Sequence, residues 1–283
     1  MTLAAAEGST RLAALLRVGL ALLVWTRFCN DFAAFHDNGA AWTLLGASLF
    51  ASSTLMLLGW RSRLATAWTG LTLAAIVVYL GVVERHYALL HHHVSLLMIA
   101  TVLLALTPCG GSLSLDRWRA VRAAERAGRP PPPERGPQWA VHLIALQMSA
   151  VYLWGAIDKT RVAWLSGERL EAILMYHYTG SDWPSWPGFP ALCLAGAVST
   201  VALEYALAVG LWFPRWHRVL IPTVIVFHGL LYFTLPVATF SATMYVMMLA
   251  FVPAATVHRV VDRLLGQGEA VDAAPHSTQD AAP

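Results

Sequence analysis

The sequence predicts an all-α fold: a polytopic helical membrane bundle of about eight transmembrane helices, with the N- and C-termini both cytoplasmic. Of its 283 residues, 57% are hydrophobic and only 12% are charged, and the mean hydropathy is +0.56. Soluble domains carry about 25% charged residues. Most apolar segments of the chain reach about 18 residues, which is enough to cross roughly 30 Å of hydrocarbon.

Eight apolar segments follow one another along the chain. The first contains Arg17 and Arg27 and has no convincing small-residue cleavage site, so we interpret it as a retained helix rather than a signal peptide. In chain order the segments cover residues 10–29, 41–59, 64–83, 88–108, 138–157, 189–212, 218–235 and 237–257.

The distribution of basic residues predicts the orientation of these segments. Of the 19 basic residues, most flank one set of segment ends, including the basic loop 109–137. Cytoplasmic loops carry an excess of Lys and Arg, so we assign this set to the cytoplasm. The loop 30–40, with Asp31 and Asp37, and the long loop 158–188 then face outward.

Two connections are more than simple turns. Residues 116–128 have helical composition and several arginines. This favours either a helix that lies on the anionic cytoplasmic leaflet or arginines that only determine the orientation of the neighbouring spans. Pro130–Pro133 then form a stiff spacer. The outer loop 158–188 is rich in Trp and Tyr, which favours either a lid or re-entrant segment or an ordinary aromatic belt. Residues 1–265 are assigned to one transmembrane domain, and residues 266–283 to a disordered tail.

Composition also excludes several functions. The net charge of +3 indicates no nucleic-acid partner, because the excess arginine lies in loops between apolar runs. Three scattered cysteines, Cys29, Cys109 and Cys193, form no disulfide framework and no metal motif. The chain is rich in alanine and arginine and holds a single lysine, which indicates a bacterial source of high GC content and hence a multi-pass protein of the cytoplasmic membrane.

Ionisable residues at membrane depth are the functional candidates, because each one is costly to insert into a bilayer. Lys159, the single lysine, ends the fifth segment and is interpreted either as a snorkelling boundary residue or as a desolvated base. Glu204 is either a structural lock or a functional acid. The other candidates are His91, His92 and His93 at the start of the fourth segment, and His228 with Tyr232 in the seventh. Three consecutive histidines point in three directions on a helix, so no metal is expected there.

The stretch YLWGAIDKTRVAWLSG around Lys159 resembles the HTTM superfamily, the horizontally transferred transmembrane domain, which includes the vitamin K-dependent γ-glutamyl carboxylases. The resemblance extends from residue 10 to residue 258. The histidine run is similar to an Asn-His pair of the family, Glu204 to the acidic residue that opens EYALAVGLWFPR, and Phe227–His228 and Phe240–Tyr245 to its last helices.

This resemblance implies a function. Lys159 falls on the base that deprotonates vitamin K hydroquinone, with His93 and His92 beside it as further catalytic residues and Glu204, His228 and Tyr232 in support. It implies a reduced quinone as cofactor, O₂ as co-substrate, and a peptide or small-molecule substrate that arrives from the outer face of the lipid bilayer. The chain departs from the carboxylase pattern at Asp158, where the family has a first lysine, and at His92, where it has asparagine.

Two other functions stay open on the sequence. The first is a non-enzymatic accessory or immunity-type membrane protein of the same fold, in which the polar residues lock helices together. Pairing of Lys159 with Asp158 or Glu171, without a cavity near His93, would favour it. The second is a transporter, against which the chain shows no internal repeat and no matched pair of broken helices.

Overall fold

The computed structural model describes residues 7–34, 39–235 and 237–266, and it shows the helical bundle that the hydropathy predicts. Two short strands pair with each other: β1 (Glu7–Ser9) and β2 (Arg135–Pro137). The α-helices are α1 (Thr10–Ala34), α2 (Ala40–Leu58), α3 (Ser62–Ala75), α4 (His92–Ala105), α5 (Leu115–Arg126), α6 (Trp139–Lys159), α7 (Val162–Leu165), α8 (Glu168–His177), α9 (Phe189–Gly210), α10 (His217–Thr234), α11 (Ala238–Met248) and α12 (Ala254–Leu264).

Six continuous helical stretches in the described residues are long and apolar enough to cross a membrane, which confirms the predicted fold class. A helix satisfies all its backbone hydrogen bonds internally, as a segment in hydrocarbon must. α3 reaches the required length because it continues without a break into a π-helical stretch, Ile76–Val83. The six stretches are Thr10–Phe32, Ala40–Leu58, Ser62–Val83, Trp139–Lys159, Phe189–Gly210 and Pro214–Thr234.

The fourth predicted segment, 88–108, forms a shorter helix than its hydropathy indicates. A 3-10 turn covers Tyr87–Leu90, and His91 then adopts an extended conformation with φ −59° and ψ 139°. α4 begins only at His92, and its 14 residues give a rod of about 21 Å, against a hydrocarbon thickness of about 30 Å. The extended backbone at His91 therefore removes the first helical turn of the segment.

The eighth predicted segment, 237–257, is broken. α11 passes into a 3-10 turn at Leu249–Phe251, and α12 then leaves at an angle of 106°. Pro253 accounts for the break, because a proline restricts the preceding residue to extended conformations, and Val252 has φ −76° and ψ 127°. The described residues hold up to seven candidate spans if the bent pair is one span. A total of eight stays a prediction.

The arginine-rich ends of the helices gather at one end of the bundle, called the basic end below. β1 pairs antiparallel with β2, so the start of α1 lies beside the start of α6. The Arg11 guanidinium binds Glu134 and Asp262, each at 2.5 Å, and so ties α12 to the same end. The opposite end, called the outer end, carries Lys159. The cytoplasmic location of the basic end stays a prediction from its charge.

Arg17 lies two turns into α1, and its charged side chain is fully buried. Its Nη1 donates a hydrogen bond to the Met56 carbonyl at 2.7 Å, and its Nη2 donates to the Leu113 carbonyl at 2.5 Å. The last carbonyls of a helix have no partner within that helix. Arg17 therefore caps the end of α2 and holds it against the loop after α4.

The predicted helix at 116–128 forms as α5. Its start is capped by Ser114, whose side-chain oxygen accepts a hydrogen bond from the Arg117 backbone N–H at 2.9 Å. The outer loop 158–188 is not an open loop, because it folds into α7 and α8 and returns against α9. Asp37 and the predicted disordered tail beyond Gly266 lie outside the described residues.

Candidate functional site

A cavity of about 940 Å³ lies between α4, α6, α9 and α10 towards the outer end of the bundle. We call it the outer cavity. Along α6 its lining extends from Gln147 to Lys159, and the described residues of α6 before Gln147 do not contribute to it. Trp164 of α7 and Leu170 of α8 line it as well. The cavity therefore ends short of the basic end, and the folded outer loop covers part of it.

Lys159 reaches into this cavity and forms an ion pair with Glu204. Lys159 Nζ donates to both carboxylate oxygens of Glu204, each at 2.9 Å, and lies 3.4 Å from the Gly155 carbonyl oxygen. The side chains are 24% and 10% exposed, so the pair is largely shielded from water. The ammonium group also lies 5.6 Å from the centre of the Trp164 ring, within range of a cation–π interaction.

Gly155 explains why α6 and α9 bring the two charges so close together. A Cβ atom at this position would lie 3.2 Å from Lys159 Nζ and 3.2 Å from the nearer Glu204 oxygen. Such a distance is tighter than nearly all real Cβ contacts. The glycine thus leaves a notch on α6, one helical turn before Lys159, in which the ion pair sits.

Asp158 does not pair with Lys159, although it precedes it directly. Its carboxylate lies 3.3 Å from Arg161, and the two side chains are 66% and 77% exposed. Adjacent residues on a helix point about 100° apart, so one side chain can face the bundle while the next faces outward. The carboxylate that pairs with Lys159 is therefore Glu204, which comes 45 residues later.

The histidine run is divided between two environments. His91 and His92 line the outer cavity, and the His92 ring packs edge-on against Phe240 at 5.2 Å between centroids. His93 is not among the residues that line it. Arg27 Nε donates a hydrogen bond to His93 Nε2 at 3.2 Å, and Arg27 pairs with Asp31 at 2.5 Å. The structure thus brings His92 into the cavity of Lys159 and places His93 in a contact between α4 and α1.

His228 forms the polar contact at the inner part of the cavity. Its Nε2 lies 2.9 Å from the Tyr152 hydroxyl, and both side chains are almost completely buried. His228 Nδ1 has no hydrogen-bond partner among the described residues. Tyr152 precedes Lys159 by seven residues, or two helical turns, which places both side chains on one face of α6. This spacing is the signal by which the sequence could have indicated Tyr152.

Tyr232 lies apart from the other candidates. Its side chain is 45% exposed, its nearest aromatic contact is Phe233, and it is not among the residues that line the outer cavity. It follows His228 by one turn of α10, but the two side chains do not share an environment. The sequence also gave no indication of Gln147, which lines the cavity and donates to the Leu96 carbonyl at 3.1 Å.

A second cavity of about 810 Å³ adjoins the first and lies between α8, α9 and α10. We call it the side cavity. The two cavities share five lining residues, Leu170, Thr200, Phe227, Leu231 and Leu235. Most residues around the side cavity are apolar, and it forms where α9 and α10 diverge. An apolar space therefore continues from Lys159 to the flank of the bundle.

The described residues contain no group of three or more His, Cys, Asp or Glu side chains placed to hold a metal ion. The polar groups that the outer cavity does offer include an ion pair, two histidines, a Tyr–His contact and the side chains of Ser95, Gln147 and Thr200. Such a set can hold or move protons and can orient a bound molecule by hydrogen bonds.

The comparisons with known proteins agree with this architecture. No curated protein matches the chain. No solved structure matches it either. The family model described as the HTTM domain matches residues 32–255, a range that contains all the residues that line the outer cavity. The chain is therefore a multi-pass membrane protein that belongs to the HTTM family.

Proposed function

We propose that this protein is a membrane-embedded enzyme of carboxylase-like chemistry, in which Lys159 deprotonates a lipid-soluble quinol bound in the outer cavity. The observation that carries the proposal is the place of Lys159: the single lysine of the chain lies inside a largely apolar cavity, with its Nζ held by Glu204 at 2.9 Å. An intramembrane ionisable residue marks a functional site by default.

The residues around the cavity fit a quinol. Cavities for small molecules are usually about 300–1,000 Å³ in volume and mostly apolar, with a few polar groups that fix orientation. The outer cavity has this volume, and Trp164, Phe227 and Phe240 offer aromatic surface to a ring. The side cavity continues it with apolar walls, which suit the tail of a lipid-soluble molecule that arrives from between α9 and α10.

Lys159 and Glu204 supply the proton chemistry. When the ammonium transfers a proton to the carboxylate across their 2.9 Å contact, the pair becomes neutral, and Lys159 Nζ has a lone pair once it turns from the Glu204 hydroxyl towards the cavity. In a site of low polarity the neutral pair is less unfavourable than it would be in water, because desolvation disfavours charged groups. The amine can then accept a proton from an O–H group in the cavity.

A bound quinol would supply that acidic O–H group and, with O₂, the strong base needed to remove a proton from an unreactive C–H bond. Water would quench such a base, so the cavity must stay dry. The lipid-facing helices and the cover formed by Trp164 and Leu170 favour exclusion of water. His92 is placed to orient a molecule in the cavity, and His93 acts on it only through its neighbours, because it binds Arg27.

The alternative is a non-enzymatic accessory or immunity-type protein. One observation favours it: the Lys159–Glu204 pair also joins α6 to α9, and the Arg27–His93 bond joins α1 to α4, as structural locks would. Against it, the partner of Lys159 is neither Asp158 nor Glu171, and a large cavity adjoins the histidines. The outer cavity does not reach the basic end of the bundle, which argues against a transport path.

The proposal is tested by oxygen-dependent oxidation of reduced menaquinone or vitamin K hydroquinone by the protein in nanodiscs. We expect turnover by the wild type and a loss of about 100-fold or more in Lys159→Ala, as for removal of a general base. Lys159→Arg keeps the charge but cannot become neutral, so it is expected to be equally inactive. Arg161→Ala, which removes an exposed cation two residues away, is the matched control and should keep full turnover.

Binding is measured separately by quenching of tryptophan fluorescence with the quinone. If Lys159→Ala binds the quinone and has lost turnover, the lysine acts in the chemical step. Full turnover in Lys159→Ala contradicts the proposal. If the wild type neither binds nor oxidises the quinol, the accessory function becomes the better explanation.

A further inference from the structure

The basic end carries two amphipathic helices, α5 and α12, that have no part in the proposed enzyme mechanism. Both lie on the surface of the bundle, and both carry arginines on their exposed faces. Their positions are linked, because Glu134 binds Arg11 at 2.5 Å and Arg117 of α5 at 3.4 Å, while Arg11 also binds Asp262 of α12. The two helices thus form parts of one surface.

The acidic side chains near this surface already have partners inside the protein. Asp116 accepts hydrogen bonds from the backbone N–H groups of Arg61 and Ser62, at 2.9 and 2.7 Å, and so caps the start of α3. Glu134 and Asp262 both bind Arg11. These carboxylates are therefore not available to neutralise the arginines on the exposed faces.

Several exposed arginines of the two helices form no ion pair with any residue that the structure describes. They are Arg119 and Arg126 on α5, Arg129 just after it, and Arg259 and Arg263 on α12. Arg122 has only a long contact of 3.6 Å with Glu125, in which both side chains are more than half exposed. The surface therefore presents a concentration of positive charge that the protein itself leaves uncompensated.

α12 has the geometry of a helix that lies flat on a membrane. It leaves α11 at 106°, so it runs nearly parallel to the membrane plane if α11 crosses it. Val257 and Val261 are buried against the bundle, whereas Val260 is 48% and Leu264 is 81% exposed. The helix thus has a buried apolar pair, an exposed apolar pair and, in Arg259 and Arg263, an exposed basic pair, each with a spacing of four residues.

α5 repeats this combination of apolar and basic residues. Ala124 is buried against the bundle, and Trp118 is 57% exposed. Residues 115, 118, 119, 122 and 126 share one face of the helix by their spacing of three and four, and they comprise one leucine, one tryptophan and three arginines. Tryptophan favours the membrane interface and arginine favours anionic headgroups, so this face matches the border of a charged leaflet.

We propose that α12 and α5 together bind the anionic phospholipid headgroups of the leaflet at the basic end. The occupant of this surface is a lipid surface rather than a protein, because exposed apolar residues of α12 lie beside its arginines, and a bilayer interface offers an apolar and an anionic layer side by side. The proposal does not depend on the proposed enzyme, since the surface lies at the opposite end of the bundle from Lys159.

The test uses the full-length protein with Cys29→Ser and Leu264→Cys, labelled at the new thiol with an environment-sensitive fluorophore. Cys109 and Cys193 are buried and stay in place. The labelled protein is placed in nanodiscs of phosphatidylcholine alone or with about 30% phosphatidylglycerol, and access of iodide to the label is measured. We expect about threefold less quenching in the anionic discs, and a loss of this protection at about 0.5 M salt.

Arg259→Gln with Arg263→Gln is the decisive variant. Each arginine near an anionic surface contributes on the order of fivefold to the binding equilibrium, so the double variant should lower it about 25-fold and remove the protection. Arg161→Gln with Arg169→Gln, at the outer end, is the matched control and should keep it.

Thermal unfolding with all native cysteines present provides a second measurement. The wild type should gain stability from phosphatidylglycerol, and Arg259→Gln with Arg263→Gln should not. Equal quenching in both kinds of disc, together with equal melting temperatures, overturns the proposal and leaves the surface for an acidic protein partner.

Discussion

The ion pair between Lys159 and Glu204 should be strongly coupled, and a double-mutant cycle measures this. At 2.9 Å, two unit charges attract each other by about 6 kcal/mol at an effective dielectric constant near 20. Desolvation of two largely buried groups offsets much of this attraction. We therefore expect a net coupling of about 2 kcal/mol from Lys159→Met, Glu204→Gln and the double variant.

The single variants should differ from each other and from the double variant. Lys159→Met leaves the carboxylate of Glu204, which is only 10% exposed, without its cation, whereas Glu204→Gln leaves a lysine that is 24% exposed and can turn towards the cavity. Lys159→Met should therefore be the more destabilising, by about 3 kcal/mol. Because the double variant leaves no unpaired charge, it should be more stable than Lys159→Met alone.

Asp158 and Arg161 provide the matched control on the same stretch of chain. Their carboxylate and guanidinium lie 3.3 Å apart, but the side chains are 66% and 77% exposed. A solvent-exposed pair contributes about 0–0.5 kcal/mol, so the same cycle on these residues should give little coupling. SDS-induced unfolding in lipid–detergent bicelles measures all the free energies. Equal coupling in both pairs would refute the view that the buried Lys159–Glu204 pair is the strongly coupled one.

Three further predictions concern the remainder of the fold. Arg17→Met should cost about 3 kcal/mol of unfolding free energy in the same assay, because it removes the side-chain donor to the Leu113 carbonyl and leaves the Met56 carbonyl only the Gly59 N–H. Gly167→Ala should cost about 2 kcal/mol or more, since Gly167 has φ +85° and a Cβ would lie 2.6 Å from a backbone nitrogen; Gly180→Ala, with φ +89° and open space around it, should cost less. Burial raises the pKa of the Cys109 thiol, so a membrane-permeable maleimide should label exposed Cys29 and leave Cys109 unlabelled up to about pH 9.

Hydropathy and charge were sufficient to predict a helical membrane bundle. The positions of six spans follow from the length of the apolar runs, and the gathering of α5 and α12 at one end follows from the alternation of arginines. Both patterns are local along the chain and reflect the cost of polar groups in hydrocarbon. The breaks before α4 and at Pro253 were missed, because hydropathy does not distinguish a continuous apolar helix from an interrupted one.

The sequence alone also identified Lys159 and Glu204 as costly charges in an apolar setting. It also showed a resemblance to the HTTM family, which the family match then confirmed. Only the tertiary structure decided which groups meet. It pairs Lys159 with a residue 45 positions away and turns Asp158 outward. It also places His93 in a hydrogen bond with Arg27, while His92 lines the cavity. Those outcomes depend on the rotation of each helix about its axis, which is fixed by the packing of whole faces against one another and not by any short stretch of chain.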